Sequence, residues 1–308
     1  MPRIIRPIEE NKSSPVSTEK SLKIDLHCHS TYSDGHLSPE ELVLRAHTMQ
    51  VDVLAITDHD SVSAFAAAKI AQDKQKRPLT LVSGVELSTR WHGFDIHVIG
   101  LNVDAKDPKF LERIESQQKT RRQRAEKIAH KLALCGFENI GEAVFEKAGD
   151  TQVTRSHFAK ELVARGAVKD NAQAFKQWLG KGKRAYVAPT WIELATAVEW
   201  IRDAGGQAAL AHPSHYDMTT KWLRRLVAEF AAHGGDAIEL NYPNLTPQKQ
   251  QLLIEMANEN NLLASHGSDF HFPSRWTELG RRSTLPSDIQ PVWHDWHFNS
   301  LDKQVAGV

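Results

Sequence analysis

Seven short runs rich in valine, isoleucine and leucine recur along the chain, and segments with helical periodicity separate most of them. They span Leu22–His29, Val51–Thr57, Leu79–Leu87, Phe94–Leu101, Gln207–His212, Ala237–Tyr242 and Leu262–Asp269. Each reads as a buried strand followed by turn or polar residues. Helical patterns lie near Ser63–Gln75, Trp191–Ala204, Lys221–His233 and Pro247–Asn258. Ser38-Pro39-Glu40-Glu41 opens another, with serine as cap, proline first and acids in the first turn. Such alternation favours an α/β fold, a parallel sheet with crossover helices. Six or seven strand–helix units suggest closure into a barrel; pattern alone leaves an open sheet as the alternative.

The alternation breaks once, over about 105 residues from Asp104 to Gly206 that carry helical periodicity and almost no strand signal. This predicts an inserted helical subdomain over residues 105–186, with the barrel formed by residues 21–104 and 187–308. Charge marks the same boundary. From Lys106 to Arg184 there are 18 basic and 10 acidic residues, a net of +8, in a chain with 38 of each sign. The remainder is therefore net −8, a basic insertion on an acidic body. A neutral total argues against wholesale electrostatic binding to nucleic acid.

Two cysteines, Cys28 and Cys135, cannot build a disulfide framework, which fits a reducing, cytoplasmic setting. No run approaches the roughly 20 apolar residues that a membrane span needs. Residues 1–20 contain basic residues but no apolar core, so they read as a disordered extension rather than a signal peptide.

The ends of the strands carry the chemistry. The first ends in His27-Cys28-His29, followed by Ser33-Asp34-Gly35; alternation puts the two histidines on one face and Cys28 on the other. The second runs into Thr57-Asp58-His59-Asp60, the third ends near Glu86, and the fourth holds Asp95-Ile96-His97. The fifth ends in His212 and the seventh in Asp269-Phe270-His271. Taken singly, each is ordinarily a helix cap or a histidine satisfied by backbone. Together they are different, because a barrel gathers strand ends into one mouth. Buried imidazoles and carboxylates facing one another are costly unless cations or hydrogen bonds satisfy them. His27, His29, Asp34, His59, Glu86, His97, His212, Asp269 and His271 supply nine ligands, enough for three metals. Mixed nitrogen and oxygen donors point to Mn, Fe or Zn rather than Ca or Mg, and no thiolates suggest a cysteine-type zinc site.

The order HCHSTYSDG, ITDHD, SGVELS, DIHVIG, AHP and GSDFH resembles the PHP (polymerase and histidinol phosphatase) superfamily, from Leu22 to His271. The resemblance implies a distorted seven-stranded (β/α) barrel with a trinuclear centre, most readily Mn²⁺ with Fe, Zn or Mg as alternatives. It would place His27, His29, Glu86 and Asp269 on the first metal, with Glu86 bridging to a second held by His97 and His212. Asp34, His59 and His271 would hold the third. The insertion between the fourth and fifth strands resembles that of stand-alone bacterial 3′,5′-nucleoside bisphosphate phosphatases, also called ribonuclease AM. The expected substrates are then nucleoside 3′,5′-bisphosphates and short single-stranded RNA with a 5′-monophosphate, with no membrane and no obligatory protein partner.

Arg121 and Arg124 share a helix face within the insertion, and Thr154-Arg155 follows. An arginine fork takes phosphate bidentately. The resemblance puts this segment over the mouth, where Arg121, Arg124, Thr154 and Arg155 would grip a 5′-phosphate beside Asp34, His59 and His271. Glu86, His212 and Asp34 act there as metal-site residues. The 3′-phosphate, or the first linkage of an RNA, would lie at the metals, which create hydroxide near neutral pH. His212, Asp58 and a metal-bound water all stand as leaving-group acids. Lys127, Lys131, Lys160 and Lys169 read as solvated surface. Two other functions compete: a histidinol-phosphatase-type enzyme, and a non-catalytic nucleotide-binding module stabilised by metal. A basic insertion gains little for a substrate that is itself an amine.

Overall fold

The computed structural model describes residues 22–281, 285–286 and 288–296; the expected extension at residues 1–20 lies outside them. The first half of the chain runs β1 (Ile24–Asp25), α1 (Pro39–Thr48), β2 (Val53–Ile56), α2 (Ala64–Gln72), β3 (Thr80–Trp91) and β4 (Phe94–Leu101). Next come α3 (Pro108–Ala133), α4 (Ile140–Ala148), α5 (Arg155–Ala164) and α6 (Asn171–Ala174), the last running into a π-helical turn at Phe175–Leu179. The chain then returns through β5 (Ile192–Glu193), α7 (Leu194–Asp203), β6 (Gln207–Leu210) and α8 (Thr220–Ala232). It finishes with β7 (Ala237–Asn241), α9 (Pro247–Glu259) and β8 (Leu263–His266).

The main strands are ordered β1-β2-β3-β4-β6-β7-β8, and β5 pairs on the side with β3. The two ends of this order meet where Cys28 bridges Phe270 in parallel and Leu26 N–H donates to His266 O at 3.3 Å. The result is a nearly closed seven-stranded barrel ringed by helices. Buried aliphatic side chains such as Val85, Leu87, Ile96, Val98, Leu210 and Ile238 form its largest apolar cluster. The expected cap of α1 is present as a reciprocal pair: Glu41 N–H donates to Ser38 Oγ at 3.2 Å and Ser38 N–H to Glu41 Oε2 at 2.8 Å. Among the described residues no helix is long and apolar enough to cross a membrane.

The sheet is not uniformly parallel. β3 and β4 form an antiparallel hairpin, and β4 pairs antiparallel with β6. Only His92 and Gly93 connect the hairpin, both at positive φ (46° and 83°), the turn that suits a two-residue link. A parallel neighbour would need a crossover of a dozen residues or more. Because β4 runs backwards, its amino-terminal half faces the mouth. His97 therefore reaches the site from the middle of its strand, paired with Ser88, and not from a carboxyl end.

α3 joins two apolar clusters. Phe110 and Ile114 pack into the barrel cluster, whereas Ala125, Ile128 and Leu132 pack with Ile140, Val144, Phe158 and Leu162 into a cluster of their own. Between them the buried face of the helix carries Gln117, Arg121 and Arg124. This polar break in an otherwise apolar stripe forms the roof of the barrel mouth.

Candidate metal centre and phosphate cleft

Glu86 stands at the centre of the mouth, 1% exposed. Its Oε1 lies 2.9 Å from His97 Nδ1, 3.1 Å from His212 Nε2 and 3.5 Å from His27 Nε2. Its Oε2 lies 2.8 Å from His59 Nδ1 and 3.5 Å from His29 Nε2. One carboxylate thus faces five imidazoles. Asp269 Oδ1 lies 3.4 Å from His29 Nε2 and 3.6 Å from His27 Nε2. Asp34 Oδ1 lies 3.3 Å from His271 Nε2 and 3.8 Å from His59 Nε2. Cys28 points away and donates to Ala55 O at 3.2 Å, as the alternation requires.

These contacts suit a shared cation better than they suit one another. Among the described residues, Asp34 Oδ1, Glu86 Oε2, His59 Nδ1 and His212 Nδ1 are buried without a hydrogen-bond partner. His59 Nδ1 and Glu86 Oε2 are 2.8 Å apart, yet neither atom is aligned to bond the other. Unpartnered buried polar atoms are rare and call for an explanation. Among the described residues, donor atoms within 4.8 Å of one another fall into four overlapping groups: His29, Asp34, His59 and His271; His27, His29 and Asp269; His27, Glu86 and His212; and His59, Glu86 and His97. All nine expected ligands are included. The grouping differs from the expected partition in that His97 assembles with His59, and His27 with His212.

Surrounding groups aim the ligands. Glu239 on β7 is fully buried; it accepts from His27 Nδ1 at 3.0 Å and from His212 N–H at 2.6 Å. It therefore turns His27 Nε2 toward Glu86. Sequence reasoning left the sixth strand without a site residue, and Glu239 is the one it missed. Such outer carboxylates set ligand orientation, and losing one costs about 10–100-fold in metal affinity or activity. Glu239→Ala should show that loss in metal titrations, with thermal melting as the folding control.

Asp58 is also fully buried. It accepts from Ser30 N–H (2.8 Å), Ser30 Oγ (2.5 Å) and Ser33 Oγ (2.6 Å). Both of its oxygens clamp the turn that delivers Asp34, so it is a poor leaving-group acid. His212 and Asp269 sit at positive φ (28° and 46°), backbone strain of the kind found at functional sites.

Charge in the cluster is strongly coupled. Burial alone would raise the Asp34, Glu86 and Asp269 carboxyls, but the facing imidazoles hold all three below the usual carboxylate range. Burial lowers His271, yet Asp34 and Asp269 outweigh it and push that imidazole to about 10. His27, His59 and His212 are raised in the same way, against burial, by facing carboxylates. Burial and neighbouring His271 pull His29 down to about 3. Ligation needs neutral imidazole. Metal binding must therefore expel protons from the raised histidines, and apparent affinity should climb with pH toward about 10. Calorimetry in two buffers of different ionisation enthalpy checks this; heats independent of buffer at pH 7.5 would refute it.

Beside the cluster lies a cleft lined by Asp34, His59 and His97 from the barrel and by Arg124, Thr154 and Arg155 from the insertion. Thr154 caps α5, accepting from Ser156 N–H at 3.1 Å, and donates to Asp34 Oδ2 at 3.1 Å. Lys160 Nζ donates to Asp34 O at 3.0 Å, so it is not the solvated lysine expected. Lys131 is exposed, as expected, and donates to Tyr186 O at 2.6 Å. The arginines are unequal. Arg121 gives Nε and Nη2 to Asp60, and Nη2 also to Ser88 Oγ. Its fork is already filled by a carboxylate, which sequence spacing did not reveal.

Arg124 is 8% exposed; among the described residues it bonds only Val187 O through Nε at 3.1 Å, and its buried Nη2 has no hydrogen-bond partner. Burial and nearby Arg155 lower its guanidinium to about 10, still charged at neutral pH. Both Arg121 and Arg124 lie over the Trp191 ring, at 4.9 and 5.3 Å. Trp191 is thus a cation–π support.

A PHP domain model matches residues 25–197. A 5′-3′ exoribonuclease of Haemophilus influenzae is 45% identical over 88% of this chain and 98% of its own length. A 3′,5′-nucleoside bisphosphate phosphatase of Chromobacterium violaceum is 35% identical over 88% of this chain and 95% of its own. A solved amidohydrolase structure from Chromobacterium violaceum, with bound sulfate and no metal, superposes with a TM-score of 0.82. It is 34% identical and covers 92% of this chain and 96% of its own.

Proposed function

The chain belongs to the PHP-domain family, and from that premise we propose that it is a phosphoesterase with two phosphate subsites. It removes the 3′-phosphate from nucleoside 3′,5′-bisphosphates, converting adenosine 3′,5′-bisphosphate (pAp) to AMP. At the same site it trims 5′-monophosphorylated single-stranded RNA one nucleotide at a time. The names of the two relatives support both activities. The single observation that carries the reading is the unpartnered buried Nη2 of Arg124, a cation that lines the same cleft as His59 and His97. A buried charge left without a partner is costly, and a phosphate supplies the partner.

The nine histidines and carboxylates would hold three divalent ions, Mn²⁺ first among them. Asp34, His59 and His271 would hold the ion nearest the cleft; His27, His29, Asp269, Glu86, His97 and His212 would hold the others. When bound, such ions neutralise the scissile phosphate and make water nucleophilic near neutral pH. The chain's own contribution is position. Arg124 and Arg155 hold the 5′-phosphate, while Arg121 braces the roof through Asp60. Thr154 and Lys160 fix Asp34 to the insertion, so the two phosphate subsites keep a set separation. That separation selects a 3′,5′-relationship over a lone phosphate ester. Two free cysteines accord with a cytoplasmic setting.

Product analysis with Mn²⁺ on pAp, a 5′-phosphorylated RNA oligonucleotide and histidinol phosphate tests the reading. AMP plus phosphate from the first, with stepwise trimming of the second, is expected. Turnover of histidinol phosphate alone would replace it with the histidinol-phosphatase reading, and binding without hydrolysis would favour a non-catalytic module.

A further inference from the structure

We infer that the loop after β8 is a stacking platform for the bases of an RNA downstream of the scissile linkage. Among the described residues, the exposed phenylalanines, tryptophans and tyrosines are two, and both lie in this loop. Phe272 is 45% exposed and Trp276 69%. The loop begins at His271, one of the groups around the proposed metals. Phe272 is the next residue, and its ring stacks on the exposed imidazole of His36 at 5.1 Å and 28°. His36 N–H in turn donates to His271 O at 2.8 Å.

The tip is rigid. Ser274 Oγ accepts from the backbone N–H of Trp276 (3.1 Å) and of Thr277 (2.9 Å), and Gly280 N–H donates to Asp25 Oδ2 at 2.7 Å. Two large rings on a braced turn therefore offer aromatic faces to solvent. Arg275 lies over the Trp276 ring at 4.9 Å, and Arg281 donates to Arg275 O. Aromatic faces with arginine beside them are how proteins hold single strands without reading sequence.

The occupant follows from the route of the substrate and rests on the function proposed above. An RNA with its 5′-phosphate at Arg124 and its first linkage at the metals must send its next nucleotide outward. Thr154 and Lys160 bond Asp34 on the side toward the insertion. From His271 the chain passes straight to Phe272, stacked on His36, and the outgoing strand is assigned to this side. A bisphosphate has no downstream base and makes no use of this surface.

The test compares pAp with a 5′-phosphorylated trinucleotide in the wild type, Phe272→Ala, Phe272→Tyr and Trp276→Ala. The ratio of kcat/KM for the trinucleotide to that for pAp should fall about tenfold in each alanine variant, the loss typical of an unstacked base, and recover with tyrosine. A phosphorothioate-linked trinucleotide should also quench tryptophan fluorescence more in the wild type than in Trp276→Phe, where Trp191 beneath Arg124 still reports the 5′ end. An unchanged ratio together with equal quenching in the wild type and Trp276→Phe would overturn the platform. So would a dimer dissolved by Trp276→Ala, which would assign the tip to a second copy. Failure to cleave pAp with Trp276 quenching intact would count against the phosphatase reading and leave the platform standing.

Discussion

Glu86→Gln should lower hydrolysis of pAp at least about a hundredfold while leaving nucleotide binding measurable. The reason is local. Both oxygens of this carboxylate face imidazoles, His97, His212 and His27 on one side and His59 and His29 on the other. An amide replaces one oxygen by a donor that repels a cation, and it removes the negative charge that offsets five neighbours. Losing a carboxylate that only orients a ligand already costs about 10–100-fold, and a direct ligand costs at least the upper end. Binding survives because Arg124 and Arg155 belong to the insertion and do not touch Glu86. Calorimetry with pAp beside a phosphate-release assay separates the two. Equal loss of binding and turnover would show that the metals, not the arginines, hold the ligand.

Arg124→Ala should erase the preference for a 5′-phosphorylated substrate. Hydrogen bonds to a charged group are worth about 1.5–3 kcal/mol, so kcat/KM for pAp should fall roughly 10–100-fold toward that for 3′-AMP. The informative quantity is the ratio of the two substrates, since 3′-AMP offers this arginine nothing to bind. Arg121→Ala should behave differently. Its guanidinium bonds Asp60, which also accepts from Ser88 N–H at 2.8 Å. Removing it leaves the buried Asp60 carboxylate without its cation, and melting temperature should fall along with activity on both substrates. A variant of Arg124 that loses the two substrates equally would remove the phosphate grip from the account.

That nine histidines and carboxylates would converge was legible in sequence because their chemistry is carried by residue type. Histidines and carboxylates at the mouth ends of apolar runs have few uses in a core. The reversed strand was less legible, although Trp91-His92-Gly93-Phe94 held the signal: a two-residue link with glycine, too short for a crossover. Glu239 lies inside Ala237–Asn241, a strand buried along most of its length, and its signal was an acid where an apolar residue belongs. The Arg121–Asp60 pair could not be read at all, since 61 residues separate partners that only the folded chain brings together. The same holds for Lys160 on Asp34, where a lysine on a short helix carries no mark of its target. Phe272 and Trp276 were passed over because exposure is a tertiary property.

Two RNA trinucleotides of identical sequence, one with a 5′-monophosphate and one with a 5′-hydroxyl, test directly whether one site measures the distance between two phosphates. With the Mn²⁺-loaded protein, kcat/KM for the phosphorylated strand should exceed that for the hydroxyl strand by at least about tenfold, the smaller value for losing a charged hydrogen bond. Equal rates on the two strands would contradict it.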